Sequence, residues 1–436
     1  MEQKNISYKT IICESNYRKL ILSGVVDRFG DSVDALAFTW LVYQITHNAM
    51  WSAIVFALNM LPNVIVQPFA GVVVEKQNKK RVIIAAYIIR AAVITIFALL
   101  YTLGLVNALV MAVLTLVITT VESFSLPASS AFTAQVIKKE HLTCGMSLSK
   151  MLTSAASLVG TGIAGVIIAA WGAIPAMIID ISTFIIAAVL ILMMKNTETA
   201  YTKVDNETNE VSVKTDVTNS DGKFSELFAD GIRYVLKTPV VRNFCLLCVA
   251  LNFMLVPINA LQAPIVEEIF KMGGELLSCG GIFASLGGIA GAALIPMLTK
   301  KLNPLQIICL ETGILGFGLA GIGLGGVVSG KTILCYIVVS TCFFAMVLSA
   351  TIIGSIIGIQ FMKSVDSEYM ARATAVFNAI STAAMPIGAL FVSVLVAHIA
   401  TYKIILFGSF FAAVVLIVIL TTRPVLEKSE EIADAT

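Results

Sequence analysis

The sequence has few charges, since only 13% of its 436 residues are Asp, Glu, Lys or Arg while 58% are hydrophobic. A soluble domain averages about 25% charged residues and needs polar side chains to cover its exterior. A soluble fold of this length could not cover so much apolar surface. The mean hydropathy of +0.92 supports the same conclusion, which is that lipid covers most of the protein.

Signs of enzyme chemistry are also scarce. Neither GxSxG nor HExxH occurs in the chain, and the three histidines lie near the ends of apolar segments without forming a cluster. Cys245 and Cys248 form a CxxC pair inside an apolar run with no second pair nearby, so a zinc or redox site is not expected. We therefore expect no enzyme, no cofactor and no ATP-driven step. The net charge of +2 gives no indication of a nucleic-acid partner, and none is expected.

Twelve apolar runs are each long enough to cross the core of a bilayer as a helix, which needs about 20 residues. They predict an all-α membrane protein with twelve transmembrane helices. The runs lie near 18–44, 49–74, 82–104, 107–133, 145–171, 174–195, 240–267, 274–299, 305–328, 332–360, 373–399 and 403–422.

One long polar interruption divides these spans into six plus six. Residues 196–223 are rich in Thr, Asn and Asp without a helical period of apolar residues, which indicates a flexible linker. Residues 224–239 have apolar residues at helical spacing, which predicts an amphipathic helix on the membrane surface. The predicted domains are a segment 1–17, a bundle 18–195, a linker 196–239, a bundle 240–422 and a tail 423–436.

Basic residues are distributed unevenly between the two sides of the membrane. With the N-terminus in the cytoplasm, the outward-facing connections hold only Lys271, Lys331 and Lys403. Because short cytoplasmic loops carry an excess of Lys and Arg, both termini and the linker are expected in the cytoplasm, beneath the cell membrane. The cytoplasmic connections hold Lys76, Lys79, Lys80, Arg81, Lys138, Lys139, Lys300, Lys301, Lys363 and Arg372.

The first span carries an unusual group of charges. Asp27, Asp31 and Asp34 follow the spacing i, i+4, i+7 and therefore share one helical face. Asp31 lies on the order of 17 Å along the helix from Leu20, which is near the bilayer centre. Arg28 precedes Asp31 by three residues, so the two side chains can pair. Charges within a span are costly and mark a functional site by default.

Several uses of this acidic face are possible. Three carboxylates and one guanidinium leave two excess negative charges, which a low-dielectric site resists, so we expect the cluster to hold about one proton near neutral pH. A proton-coupled carrier needs such a group, but binding of a cationic solute or a metal ion would use it equally well. The alternative is a salt-bridge cluster that only fixes the helix to its neighbours.

Other charges within the spans are single. Glu122 lies in the middle of the fourth span before Pro127 and is expected to face a water-filled cavity, so it joins the Asp face as a candidate for substrate or proton coupling. Arg90 and Asp180 are expected to neutralise charges on adjacent helices or to cap loop carbonyls. Glu267 and Glu268, at the end of the seventh span, are interpreted as a solvated rim.

A family resemblance begins between the second and third spans. Residues 71–81, GVVVEKQNKKR, resemble the signature loop of the major facilitator superfamily, Gly-x-x-x-Asp-(Arg/Lys)-x-Gly-(Arg/Lys)-(Arg/Lys)-Arg. Glu75 replaces the usual Asp and Asn78 the second Gly. The matching residues are Gly71, Lys76, Lys79, Lys80 and Arg81.

Further segments resemble the macrolide-efflux-like drug exporters of that superfamily, including FGDSVDALAFTWLVYQIT, LPASSAF, IDISTFIIAA and AMPIGAL. This resemblance implies two six-helix bundles, alternating access and proton-driven export. It also implies that the signature loop latches one closed state, with Glu75 meeting the positive end of a helix. The residues assigned to this gating group are Gly71, Glu75, Lys79, Lys80, Arg81 and Arg90.

Two features depart from this branch. Its antiporters often carry Gly-Pro in the fifth span, whereas Thr161 follows Gly160 here. The segment GDSVD is weakly similar to the first span of ferroportin-like metal exporters, and by that match Asp31 would be a metal ligand. Carboxylates suit hard cations, while a soft metal would want a nearby His or Met.

The leading hypothesis is a monomeric secondary transporter that exports a small amphipathic organic compound, a drug or a metabolite, in exchange for protons. The alternative is transport of a divalent metal cation through the Asp face. A membrane sensor or scaffold is a third possibility, but it has no need of three aspartates in one span. A membrane-embedded acyltransferase is a fourth, and it would require a His or Cys nucleophile arrangement that the sequence does not show.

Overall fold

The computed structural model describes residues 14–75, 77–136, 142–194, 230–365 and 369–421. These ranges are almost entirely helical and contain no β-strand, which confirms the predicted all-α class. The predicted linker 196–223, nearly all of the N-terminal segment 1–17 and the tail 423–436 lie outside the described residues. Of the predicted amphipathic segment, residues 230–237 form a helix, α8, which exposes Ile232 and Leu236 one turn apart and buries Val235.

In the described ranges before α8 there are seven helices. They are α1 (Ser15–Thr46), α2 (Ala49–Ile65), α3 (Gln67–Glu75), α4 (Lys79–Thr102), α5 (Ala108–Val136), α6 (Leu142–Trp171) and α7 (Ala173–Leu192).

Six long helices follow α8 among the residues that the structure describes. They are α9 (Pro239–Ala260), α10 (Gly274–Leu298), α11 (Pro304–Gly323), α12 (Thr332–Ser364), α13 (Met370–Val396) and α14 (Thr401–Thr421). A short turn at Gln262–Pro264 and a π-helical segment at Ile265–Ile269 extend α9.

Within the described ranges, ten helices are long and apolar enough to cross a membrane. The first two predicted spans differ for identifiable reasons. The helix α1 has 32 residues, but its three aspartates and its arginines make it too charged to count among the ten. The second span is divided at Val66 between α2 and α3, with Pro62 inside α2 and Pro68 near the start of α3. Proline removes a backbone donor and interrupts the helical ladder there.

Each half of the chain packs as a bundle around its own helices. In the first half α1 packs against α6 and α7, while α4 packs against α5 and α7. In the second half α12 packs against α10 and α11, and α11 also packs against α14. The two most extensive contacts between the halves, within the described residues, are those of α2 with α13 and of α6 with α10. These two contacts join span 2 to span 11 and span 5 to span 8. Spans 2 and 5 of the first half correspond to spans 8 and 11 of the second, so interchanging the halves turns one contact into the other.

One short segment matches the P-loop letter pattern GxxxxGK(S/T), namely residues 325–332, GGVVSGKT. A P-loop follows a β-strand and offers free backbone N–H groups to phosphate. Here the segment follows the helix α11, and the N–H groups of Val327, Ser329 and Lys331 donate to carbonyls within the same turn. The segment therefore matches the P-loop in sequence but not in structure. The expectation that ATP does not drive transport is unchanged.

Candidate functional site

A cavity of about 530 Å³ lies in the middle of the molecule, between both halves. All of its charged lining residues within the described ranges come from the first half. They are Arg28, Asp31, Asp34, Arg90 and Glu122. Phe38 and Phe56 add an aromatic wall. The second half contributes uncharged groups from α9, the following turn and α10, namely Asn259, Ala260, Gln262 and Gly281.

Arg90 of α4 is the cation that meets the Asp face of α1. Its Nη2 donates to Asp31 Oδ1 at 2.6 Å, and its Nη1 lies 3.6 Å from Asp27 Oδ1. The guanidinium also stacks over the ring of Phe184 in α7, 4.2 Å from the ring centre. Arg90 is only 7% exposed, so these contacts replace the water that the charge has lost.

The predicted pair of Arg28 with Asp31 is wrong. Arg28 is exposed, and within the described part of the chain it forms no ion pair. Arg28 emerges about 100° around α1 from Asp27, whereas Arg90 approaches the Asp face directly from α4. The predicted assignment of Arg90 to the gating group is corrected by the same contacts, because Arg90 lies about 14 Å along α4 from Arg81.

The gating group itself is only partly described. Lys80 donates to the carbonyls of Leu192 and Met194 at 3.2 and 2.6 Å, which ties the start of α4 to the end of α7. Asn78 caps α4 by accepting from the Arg81 N–H at 3.2 Å. Lys79 also lies in the first turn of α4. These contacts place the loop at the end of the bundle that bears the chain termini.

No contacts support a gating role for the two remaining residues of the gating group, Gly71 and Glu75, within the described part of the chain. Gly71 lies in open space, since a Cβ there would have no neighbour within 4 Å. Glu75 is the last residue of α3, and its side chain and Lys76 are outside the described part. The latch assigned to this loop therefore stays a prediction.

The other members of the acidic group line the same space. Asp34 and Glu122 both face the cavity, and a hydrogen bond of 2.8 Å between Ser32 and Ser157 holds α1 against α6 beside them. The cavity wall thus carries three carboxyl groups against two guanidinium groups, and Asp27 adds a fourth carboxyl behind it. In the described ranges no three His, Cys, Asp or Glu residues converge as a metal site.

Asp180 of α7 is a member of this region that the sequence interpretation placed differently. It is 1% exposed, and no cation of the described chain lies within ion-pair distance, so it does not neutralise a charge as expected. Thr183 Oγ1 donates to its backbone carbonyl at 2.8 Å and lies 3.5 Å from Asp180 Oδ1. The other oxygen, Oδ2, has no hydrogen-bond partner in the part of the chain that the structure describes.

Gly30 allows α1 to approach Asp180 closely. A Cβ at Gly30 would stand 2.7 Å from Asp180 Oδ1 and would overlap Thr183 Oγ1. At Gly24, on the same helix, the nearest atom to an added Cβ is Thr153 Cγ2 at 3.8 Å, an ordinary contact. The absence of a side chain at Gly30 therefore leaves only a backbone between Asp180 and the Asp face.

We expect Gly30→Ala to lower the free energy of unfolding by about 1–3 kcal/mol, because the added methyl group forces α1 and α7 apart. Gly24→Ala is the matched control and should change it by less than about 0.5 kcal/mol. Thermal unfolding of the purified variants in detergent measures both. Equal melting temperatures for the two variants would show that the close approach is not a packing constraint.

Glu267 and Glu268 form a contact between the halves at the distal end, defined as the end opposite the chain termini. Tyr43 Oη donates to Glu268 Oε1 at 2.7 Å, and Thr401 Oγ1 donates to Glu268 Oε2 at 2.5 Å. Gln44 Nε2 donates to Glu267 Oε2 at 2.8 Å. These carboxylates are thus a polar clasp between α1 and the π-helical segment, which corrects their interpretation as a solvated rim.

Comparisons with known proteins found similarity to a family of membrane transporters. A family model described as Major Facilitator Superfamily matches residues 20–389. The chain is 23% identical over 391 residues to "Uncharacterized MFS-type transporter YvqJ" of Bacillus subtilis, covering 88% of this chain and 87% of that protein. It is 24% identical over 352 residues to "Macrolide efflux protein A" of Enterococcus faecalis, covering 78% and 100%.

Among solved structures, the fold is similar to that of the nucleoside transporter NupG. The TM-score is 0.73 at 10% identity, with 94% of this chain and 98% of that chain covered. At this identity the likeness concerns the fold alone.

Proposed function

The chain belongs to the major facilitator superfamily, and from that premise we propose that it exports a small amphipathic organic compound, a drug or a metabolite, in exchange for protons. It is a transporter and not an enzyme. We further propose that it acts by alternating access, as a monomer, in the cell membrane with both termini in the cytoplasm. The distribution of Lys and Arg between the loops supports that orientation.

The observation that carries the proposal is the chemistry of the cavity wall. Phe38 and Phe56 offer apolar contact, while three carboxyl groups against two guanidinium groups leave an excess of negative charge. Aromatic faces and carboxylates together suit a positively charged amphipathic molecule. We therefore propose an organic cation as the substrate class. The similar protein from Enterococcus faecalis is named a macrolide efflux protein, which supports export as the direction of transport.

Coupling to protons follows from competition for the same carboxylates. In the observed arrangement Asp31 is neutralised by Arg90 at 2.6 Å. A cationic substrate that reaches Asp31 competes with Arg90 and with protons for the carboxyl groups of this wall, so its binding lowers the affinity of the site for protons. Release of one proton follows from that lower affinity. The same exchange in reverse would reload the proton when the substrate departs on the other side.

The test uses purified protein in liposomes with an imposed pH gradient. Ethidium, a permanent amphipathic cation, should accumulate against its concentration gradient and dissipate the pH gradient, while its uncharged core, phenanthridine, should do neither. An uncoupler that removes the gradient should abolish the accumulation. Transport of Mn²⁺ without any effect of ethidium would replace this proposal by the metal alternative at Asp31, and transport unaffected by the pH gradient would refute proton coupling.

A further inference from the structure

Three buried polar atoms in the layer between α1, α4 and α7 have no hydrogen-bond partner among the described residues. One is Asp27 Oδ1, which is still within ion-pair distance of Arg90 Nη1 at 3.6 Å. The other two are Arg90 Nε and Asp180 Oδ2. The guanidinium of Arg90 stacks on Phe184 at 4.2 Å, and Phe184 follows Asp180 by four residues, one turn along the same face of α7. Each unpartnered atom raises the free energy of this arrangement. A second arrangement, in which Arg90 binds Asp180, would satisfy both Arg90 Nε and Asp180 Oδ2.

The surroundings of Asp180 determine its charge in the observed arrangement. The charged groups whose fields reach it are Asp27, Asp31 and Asp34 of α1 and Arg90 of α4. Arg90 is already held by Asp31 and Asp27. A fully buried carboxylate facing three others without a cation of its own is strongly disfavoured. Burial without an ion-pair partner among the described residues therefore favours the neutral, protonated form of Asp180 in this arrangement.

Asp180 is also separated from the substrate. It does not line the cavity, whereas Asp31, Asp34 and Arg90 do. The backbone of α1 at Gly30 stands between Asp180 and the cavity face of that helix. A substrate can therefore displace Arg90 from Asp31, but it cannot contact Asp180.

We infer that Asp180 holds the coupling proton outside the cavity and is the second partner of Arg90. This inference rests on the proposed exchange of an organic cation for protons. When the cation binds Asp31, Arg90 releases Asp31 and moves to Asp180, whose carboxyl O–H bond breaks and whose proton passes to the water of the cavity. One positive charge enters and one leaves. Departure of the cation returns Arg90 to Asp31, and Asp180 takes up a proton again.

This arrangement differs from direct competition, in which the substrate and the proton share one carboxyl group of the cavity wall. Under direct competition, the proton leaves Asp31, Asp34 or Glu122 and Asp180 is a bystander. Under the inferred exchange, the proton comes from a residue that the substrate never touches, and Arg90 transmits the binding event. Asp180 then acts through Arg90: it couples cation binding to proton release without contacting the substrate.

The experiment compares the full-length wild-type protein with Asp180→Asn in weakly buffered detergent solution. Ethidium binding is followed by fluorescence and proton release by a pH indicator. Wild type should release about one proton per ethidium bound, by linkage between the two equilibria. Asp180→Asn should bind ethidium several-fold more weakly than wild type, because Arg90 loses its second partner, and should lose nearly all of the proton release per ethidium bound.

Glu311→Gln is the matched control, since Glu311 is another buried acid, 3% exposed, hydrogen-bonded at 2.7 Å by Ser349 in the second half of the chain. It should leave proton release unchanged. Full proton release by Asp180→Asn overturns the inference and leaves the proposed function standing. Wild type that binds ethidium without releasing protons, or that does not bind it, overturns the proposed function and the inference with it.

A second measurement covers the case in which Asp180→Asn does not fold. Infrared difference spectra of wild type with and without ethidium report which acid loses its proton. Asp180 Oδ2 has no hydrogen-bond partner among the described residues, and Oδ1 has only the long contact of 3.5 Å from Thr183 Oγ1. Ethidium should therefore remove a high-frequency carbonyl band, typical of a weakly hydrogen-bonded carboxylic acid. Loss of only a low-frequency band, from a hydrated acid of the cavity wall, would favour direct competition and overturn the inference.

Discussion

Replacement of Arg90 by leucine should remove most of the folded protein from the membrane, whereas the same replacement at Arg28 should leave its amount nearly unchanged. Arg90 is 7% exposed and is the cation that compensates Asp27 and Asp31. Removing one partner of a buried ion pair costs about 3–5 kcal/mol, which is a large part of a total stability of about 5–15 kcal/mol. Arg28 is exposed and forms no ion pair among the described residues, so its loss should cost less than about 1 kcal/mol.

The amount of protein in isolated membranes and its thermal unfolding in detergent measure the difference between the two variants. A further variant tests the cause. Asp31→Asn added to Arg90→Leu should recover part of the lost stability, because it removes one of the carboxylates left without a cation. Equal losses for Arg90→Leu and Arg28→Leu, or no recovery in the double variant, would show that packing and not charge compensation explains the role of Arg90.

Asp31→Asn alone should abolish accumulation of ethidium driven by the pH gradient, while the protein remains folded. Asparagine is nearly isosteric with aspartate, but it no longer offers a charge for which Arg90 and the substrate compete. Arg90 should then stay with Asp180, so that no proton can be exchanged. We expect at least a tenfold fall in gradient-driven accumulation in liposomes, equivalent to about 1.4 kcal/mol of lost coupling.

Asp34→Asn is the control for this prediction. Asp34 lines the same cavity on the same helix, but it forms no ion pair within the described part of the chain, so its effect on coupling should be smaller. Binding of Mn²⁺ by wild type that is lost in Asp31→Asn would instead support the metal alternative. Normal transport by Asp31→Asn with an unaltered pH dependence would reduce the Asp face to a salt-bridge cluster that only fixes the helix.

The sequence was enough to predict most of the helices, but it was not enough to predict which side chains of different helices contact each other. Hydrophobic runs predicted most of the spanning helices to within a few residues, because lipid imposes length and polarity on them. The exceptions are the second run, which is divided at Val66, and the seventh, in which α9 ends at Ala260. The i, i+4, i+7 spacing placed the aspartates on one face, because that relation is internal to a single helix. The partner of that face, Arg90, lies 59 residues from Asp31, and only the packing of α4 against its neighbours determines where its side chain points.

The residues missed at the sequence level share this cause. Tyr43 and Glu268 are 225 residues apart, and no local pattern relates them. The glycine at position 30 gave one usable signal, since a small residue between Asp27 and Asp31 predicts a close neighbour on that side of the helix. The sequence could have pointed to Asp180 as the residue next to Gly30 only because Asp180 is the charged residue within the sixth span.

The uncharged wall that the second half contributes has a consequence for how the range of transported compounds can change. Asn259, Gln262 and Gly281 shape the cavity opposite the ion pair, and none of them can gain or lose a proton. A different amide or a larger side chain at these positions would alter the size and hydrogen-bonding pattern of an acceptable molecule without touching the charged residues of α1, α4 and α7. New selectivities could therefore arise by drift or by engineering in one half of the chain, while the half that carries the proposed exchange of charge stays as it is.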